Sequence, residues 1–248
     1  MTDPAFADSF DLYIHWELRL GKELPFLEEI LRRHDARHVL DAGAGTGVHA
    51  AALAGLGFRL DACDIHEGVL EKGRAHARER GVEVRFFASC FTRLGETAGA
   101  VYDAVLCLGN SLCMVPDRGT FRESLASMAS VLRPGGILVT HVINYAGLRA
   151  RGKRIGPPRR LEDGRVVLKI FDLVPGHTAV NIVILSPEGE TGWKLAHVSH
   201  PLLDVDRTDF EEAFPKTGLE AVEAFGGAHG GAFEPERSND LFLVAKKA

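Results

Sequence analysis

Val39-Leu40-Asp41-Ala42-Gly43-Ala44-Gly45-Thr46-Gly47 is the stretch that decides how this chain folds. An apolar run closes on an acid, three glycines follow at alternate positions, and a helical pattern begins at 46–54. Strand, glycine-rich turn and helix in that order open a βαβ unit. Glycines at such a turn let the backbone swing tightly beneath a ligand while the helix N–H groups aim at it. The spacing is G-x-G-x-G and not the G-x-G-x-x-G of the dinucleotide fingerprint. Asp41, ahead of the turn, suits a cationic or amino-bearing ligand better than a pyrophosphate.

Working outward, the alternation continues. RHVLD (37–41), FRLDAC (58–63), VEVRFF (82–87), YDAVLCL (102–108) and GILVTHVI (136–143) read as strands, with helical patterns at 46–54, 67–80 and 119–132 between them. Strands joined by helices of that length imply right-handed crossovers and a mostly parallel sheet. Arg133-Pro134-Gly135-Gly136 is expected to end the last of those helices. Residues 6–34 read as helical, with Phe6, Phe10 and Tyr13 as one aromatic stripe and Pro25 in the first turn of a second helix over 25–34. After residue 150 the pattern changes. Seven basic side chains at 149–165 surround Gly156-Pro157-Pro158 and read as an exposed loop. RVVLKIFDL (165–173), TAVNIVIL (178–185) and WKLAHVSHPLL (193–203) follow, with turns at Pro175-Gly176 and Pro187-Glu188-Gly189, as an antiparallel meander. A helix near 207–217, capped by Asp206 or Thr208, precedes a closing strand pair, LEAVEAFGG and DLFLVAKK.

The composition fits a folded chain: 248 residues, 46% apolar and 25% charged. Lys and Arg total 29 against 34 Asp and Glu, a net charge of −5, which argues against a dedicated nucleic-acid binder. No Cys-x-x-Cys or zinc-type His pairing occurs, so Cys63, Cys90, Cys107 and Cys113 read as reduced thiols and no metal is expected. Asp3 and Asp8 stand where a signal peptide needs positive charge, and no apolar run reaches membrane-spanning length. The expected location is the cytoplasm, with no membrane partner; self-association is left open.

Asp64 ends the second strand, the place for a carboxylate that takes both hydroxyls of a ribose. With the glycine turn it points to an adenosine-containing ligand. In these two features the chain resembles the class I S-adenosylmethionine-dependent methyltransferases: VLDAGAGTG looks like their first motif and DACD their second. FFASC (86–90) falls where the family lines the adenine, and LRPGG (132–136) matches the segment before its fifth strand. The resemblance implies an α/β fold, a Rossmann-like seven-stranded mostly parallel sheet with helices on both faces, plus the antiparallel strand-rich insertion. Residues 1–35 would cap one domain as a helical segment, 36–150 and 206–248 would build the cofactor sheet, and 151–205 would form an inserted lid. CLGNS (107–111), Val115-Pro116-Asp117, Asn144-Tyr145 and LYIHWELRLGKELPFL (12–27) narrow the resemblance to the glycine and sarcosine N-methyltransferase branch.

The resemblance implies S-adenosylmethionine held by Asp41, Gly43, Ala44, Gly45, Gly47, Asp64, Ile65, Ser89, Cys90, Leu108 and Gly109, with Tyr13 and Arg19 near its methionine end. Asn110 would border the methyl acceptor, expected to be a small molecule methylated at nitrogen. His141, Asn144, Tyr145 and His15 are candidates to take a proton from it; His141, inside an apolar strand run, reads equally well as a structural histidine. Where that branch carries an Arg before its Asn-Tyr pair, this chain has Ile143, which cannot clamp a carboxylate as a guanidinium does. That speaks against glycine as acceptor. Trp193 is expected either to cover the pocket or to pack on the meander. The alternatives are a macromolecular acceptor guided by the basic run, or a cofactor-binding protein without activity.

Overall fold

The computed structural model describes Ser9, Asp11–Val174 and residues 177–248. Phe6 and Phe10 of the expected aromatic stripe, and the Pro175-Gly176 turn, lie outside the described residues.

Helix α1 (Trp16–Arg33) leads into β1 (His38–Ala42), α2 (Val48–Gly55), β2 (Arg59–Asp64), α3 (Glu67–Glu79) and β3 (Val84–Ala88). A short α4 (Leu94–Thr97), β4 (Tyr102–Cys107), α5 (Arg118–Ser130), β5 (Leu132–Ile143) and α6 (Tyr145–Ala150) follow. The seven-stranded sheet is completed at the C-terminus by α7 (Arg207–Ala213), β10 (Leu219–Phe225) and β11 (Asp240–Lys247). Its order is β10-β11-β5-β4-β1-β2-β3, parallel from β5 to β3, with β11 antiparallel to both β5 and β10. Strand order reverses between β1 and β4, the position at which ligands enter such sheets.

Alternation along each strand builds two cores, one per face. Leu40, Val105 and Leu138 point to one, with Phe121, Leu125 and Phe210 from α5 and α7. Val39, Leu106 and Val139 point to the other, with Leu27, Ile30 and Leu31 from α1 and Ala50 and Leu53 from α2. A second sheet, β6 (Arg159–Arg160), β7 (Val166–Val174), β8 (His177–Glu188) and β9 (Gly192–Leu202), is antiparallel throughout. Its inward face, including Val167, Phe171, Val180 and Ile182, packs into the first of those cores.

Two sequence expectations change. Pro25 does not start a helix but lies inside the 18-residue α1. The carbonyl that its ring crowds, four residues back, belongs to Gly21. Leu20 before Pro25 and Phe26 and Leu27 after it are all buried, so packing carries the helix through the proline. Pro134-Gly135-Gly136 does not separate helix from strand; it bulges within β5, where the register on β4 jumps from Tyr102↔Leu132 to Ala104↔Ile137.

The basic run is exposed and mostly irregular over 151–158, as expected, but its arginines are tethered. Arg149 pairs with Asp204, Arg165 with Asp163, and Arg154 with Asp172 and the Phe171 carbonyl. Arg151 caps the carbonyls of Glu236 and Ser238. Arg159 donates to the carbonyls of Leu12 and Ile14, strapping the N-terminal segment to the insertion. The cap of α7 is Asp206, in a reciprocal pair with Asp209.

Candidate functional site

A cavity of about 420 Å³ opens at the carboxyl ends of β1, β2 and β4, beneath the insertion. That is the volume range of small-molecule sites. The glycine turn forms its floor. Gly43 N and Ala44 N donate to the Cys63 carbonyl, and Gly45 N donates to Asp64 Oδ2 at 3.0 Å, so β2 holds the turn in shape. Asp64 Oδ1 takes the His66 N–H as well. The three glycines differ in task. A Cβ on Gly43 would strike Phe91 and Ser111, and one on Gly47 would strike Phe86 and the Gly73 backbone, whereas one on Gly45 meets nothing within 4 Å. Gly45 lines the cavity; Gly47 does not, and serves the packing of α2 on α3 and β3.

Asp41 is buried in the cavity wall at 2% exposure, and its Oδ2 has no hydrogen-bond partner among the described residues. Burial, with Asp64 nearby, pushes its carboxyl up to about 7, and Arg19 pulls the other way. An orphaned carboxylate oxygen costs free energy unless a donor meets it. A carboxyl group on the cavity wall suits an amino group brought by a ligand, the kind that the methionine end of S-adenosylmethionine carries.

Arg19 reaches the same wall from α1, its guanidinium resting on Gly109, where a Cβ would lie 3.4 Å from Nη2. Arg19 Nε is 2.9 Å from Glu23, and Glu23 accepts from His49 Nε2 at 2.6 Å. Burial favours a neutral Glu23, but the His49 hydrogen bond and Arg19 prevail and bring its carboxyl down to about 2. Burial lowers His49 against the pull of Glu23. The pair is thus a neutral imidazole donating to a carboxylate. Trp16 packs edge-on against His49, and its indole N–H donates to Asp11, which also accepts from Thr46 Oγ1. This network ties the N-terminal segment over the glycine turn.

Of the residues expected from sequence, Arg19, Asp41, Gly43, Ala44, Gly45, Asp64, Ile65, Ser89, Cys90, Leu108, Gly109 and Asn110 come together on the cavity wall. Tyr13, Gly47, His141 and Tyr145 do not line it. The His141 ring stacks on Phe242, accepts the Gly109 N–H at Nδ1 and places Nε2 3.2 Å from Asp240, so it braces the Gly109–Asn110 turn. Tyr145 is fully buried, its hydroxyl 2.6 Å from Asn110 Nδ2, and burial raises its pKa well above the usual value. Asn110 itself is held with φ 73°, and its Oδ1 accepts the Ile143 N–H. Asn144 caps α6 and donates to the carbonyls of Pro235 and Ser238. His15 is exposed ahead of α1, and Trp193 stands exposed at the far end of β9.

Sequence reasoning missed Trp16, His49, Lys169, Phe171, Val180 and Leu202, all on the wall. Lys169 projects from β7 with its ammonium 4.8 Å from the Tyr13 ring centre and 5.4 Å from that of Phe171. Burial, then Arg19, brings it down to about 8, with Asp240 opposing. The alternation Val167-x-Lys169-x-Phe171 was the available signal, since every second residue shares a face.

A family model described as a methyltransferase domain matches residues 39–136. The chain is 33% identical over 147 residues to a glycine/sarcosine N-methyltransferase of Halorhodospira halochloris, covering 59% of this chain and 55% of that protein. It is 30% identical over 165 residues to the glycine N-methyltransferase of Oryctolagus cuniculus, covering 61% and 56%. The chain thus spans just over half the length of these relatives. Among solved structures, an S-adenosylmethionine-dependent methyltransferase of Clostridium acetobutylicum superposes with a TM-score of 0.79 at 15% identity, covering 92% of each chain. CalS10, an amino pentose methyltransferase from Micromonospora echinaspora, superposes with 0.72 at 22% identity, covering 100% of this chain and 98% of that one. These likenesses establish the fold.

Proposed function

We propose that this chain, whose residues 39–136 match a methyltransferase-domain family, is an S-adenosylmethionine-dependent methyltransferase that acts on a small molecule at nitrogen. The observation that carries the reading is Asp41: a buried carboxyl group on the wall of a cavity floored by a glycine turn, with one oxygen lacking a hydrogen-bond partner among the described residues. In this reading Asp41 takes the cofactor's amino group and Asp64 its ribose hydroxyls. Ile65, Ser89 and Cys90 flank the base, and Gly45, Leu108 and Gly109 leave room for the chain between them. When bound, S-adenosylmethionine supplies an electrophilic methyl group on a sulfonium.

The protein's share of the work is placement and exclusion of water. The segment from Asp11 to Trp16 covers the cavity, held at one side by Thr46 and at the other by Arg159. Ile143, Phe171, Val180 and Leu202 give the acceptor side an apolar wall. None of the four candidate proton acceptors, His15, His141, Asn144 and Tyr145, lines the cavity. The site thus favours an amine that reaches its neutral form without a dedicated histidine or tyrosine. A macromolecular acceptor gains no support, because five arginines of the basic run are engaged within the fold.

Calorimetric titration with S-adenosylhomocysteine tests the cofactor assignment. The wild-type chain is expected to bind, and Asp64→Ala to bind about ten- to a hundredfold more weakly, the worth of one hydrogen-bonded charge. Circular dichroism should show an unchanged fold. Absence of binding by the wild type would refute the reading. Formation of S-adenosylhomocysteine with RNA but with no small amine would move the acceptor to a macromolecule.

A further inference from the structure

The two ends of the cavity offer a ligand different surfaces. Asp11, Asp41 and Asp64 stand at the glycine-turn end. Toward the insertion the wall is Met114, Val115, Ile143, Phe171, Val180 and Leu202. Phe171, Val180 and Leu202 are also members of the first core, so packing holds this apolar surface in place. The polar side chains that border it are held by the fold. The Asn110 amide donates to the Tyr145 hydroxyl at 2.6 Å and accepts the Ile143 N–H at 2.9 Å. Ser111 Oγ donates to the Leu108 carbonyl at 2.8 Å, and Ser124 Oγ to that of Thr120 at 2.7 Å. The arginine and the lysine on the wall are engaged too. Arg19 is bonded to Glu23 at 2.9 Å, and Lys169 has its interactions within the fold, beside the Tyr13 and Phe171 rings. An acid at this end would leave its charge among methyl groups and ring carbons, which disfavours it strongly.

The state of the attacking nitrogen is restricted as well. His15, His141, Asn144 and Tyr145 stand off the wall, so none of them takes a proton from an acceptor in the cavity. A nitrogen that arrives protonated has no lone pair to offer. One whose lone pair lies in or beside an aromatic ring stays unprotonated near neutral pH. We propose that the methyl acceptor is an apolar aromatic amine or nitrogen heterocycle that carries no acidic group. The inference rests on the methyltransferase reading and deepens it. The acceptor's lone pair forms the new N–C bond while the methyl's bond to sulfur breaks and its electron pair stays on sulfur. The positive charge thereby passes from sulfur to nitrogen. A ring nitrogen or a tertiary amine keeps that charge and has no proton to lose; an arylamine that still bears a hydrogen yields it to water. The carboxylates at the glycine-turn end favour the charge developing on nitrogen, so nitrogen faces the cofactor and hydrocarbon faces the insertion.

The test measures S-adenosylhomocysteine formation from S-adenosylmethionine at pH 7 with quinoline and N-methylaniline, with a ring carboxylate of each, and with glycine, sarcosine and benzylamine. For quinoline and N-methylaniline, kcat/KM is expected to exceed that for each acid, and for benzylamine, which is protonated at this pH, at least tenfold. Val180→Thr keeps the side-chain volume but places a hydroxyl on the wall. It should lower kcat/KM for quinoline at least fivefold while affinity for S-adenosylhomocysteine, read by calorimetry, stays within twofold. Turnover of an acid or of benzylamine as fast as that of quinoline and N-methylaniline, turnover of neither of these two, or an unchanged kcat/KM in Val180→Thr each overturns the proposal. Failure of the wild type to bind S-adenosylhomocysteine overturns the underlying reading instead.

Discussion

Two alanine substitutions separate the structural from the ligand-facing half of the glycine turn. Gly47 has φ 65°, and a Cβ there would lie 2.8 Å from the Phe86 ring and 3.0 Å from Gly73 Cα. Phe86 cannot step aside toward α3, because a Cβ on Gly73 would already lie 2.6 Å from the same ring. The left-handed backbone costs roughly 1–2 kcal/mol for a residue with a side chain, and forcing a methyl into a filled core costs about 1–3 kcal/mol more. Gly47→Ala should therefore destabilise by about 3 kcal/mol. For a chain of this size that is a fall in Tm of roughly 6–12 °C.

Gly45, two residues earlier, has φ 55° but nothing within 4 Å of its would-be Cβ. Gly45→Ala pays the backbone term alone, about 1 kcal/mol, and a Tm fall of roughly 2–4 °C. Its methyl, however, enters the cavity. Thermal melts of both variants, followed by titration with S-adenosylhomocysteine, read the two effects apart. Gly45→Ala should lose at least tenfold in affinity, and Gly47→Ala should lose mainly stability. Equal melting temperatures, or wild-type affinity in Gly45→Ala, would refute the division of roles.

Two further outcomes are expected. Asp41, raised to about 7 in the fold against an ordinary value of 3.8, contributes stability that is present below the unfolded value and lost as pH rises through about 7. Ligand-free protein should accordingly melt at lower temperature at pH 8 than at pH 5.5, and Asp41→Asn should flatten that slope while weakening S-adenosylhomocysteine binding; a slope unchanged in Asp41→Asn would exclude Asp41 as its source. Arg159→Met should free the segment around Leu12 and Ile14, seen as faster proteolysis near residue 12 with little change in Tm, and an unchanged cleavage rate would show that the strap does not hold the cover.

The fold was legible where its signals are local. Each strand of the parallel sheet is an apolar run bounded by breakers within a few residues, and β1 through β5 lie within a few residues of their expected places. What was misread depended on partners remote in sequence. Pro25 passes through α1 because both flanks are buried, Leu20 against Val48 and Ala52 of α2 and Phe26 and Leu27 against the sheet. Arg149 finds Asp204 and Arg159 finds the Leu12 carbonyl, pairings 55 and 147 residues apart that no window over 149–165 can reveal. The candidate site divides the same way. Asp41, Gly45 and Asp64 are set by one turn and one strand end, so the sequence displayed them. Phe171, Val180 and Leu202 reach the wall only through the register of the second sheet and its docking on the first core.

That division has a physical consequence. The cofactor side is fixed by backbone: the turn's N–H groups are spent on Cys63 and Asp64, and a side chain at Gly47 would be felt by β3 and α3. The acceptor side is fixed by side chains that alternate along β7 and β8, where a substitution at one inward position leaves the ladder hydrogen bonds intact. Lys169 sits in that replaceable register, opposite Ile182, whereas Ile143 ends a strand paired with both β4 and β11 and braced by Asn110. The net charge of −5 conceals this arrangement, because Asp41, Asp64, Arg19 and Lys169 on the cavity wall act over a few ångströms in a low-dielectric space, not through the average over the surface.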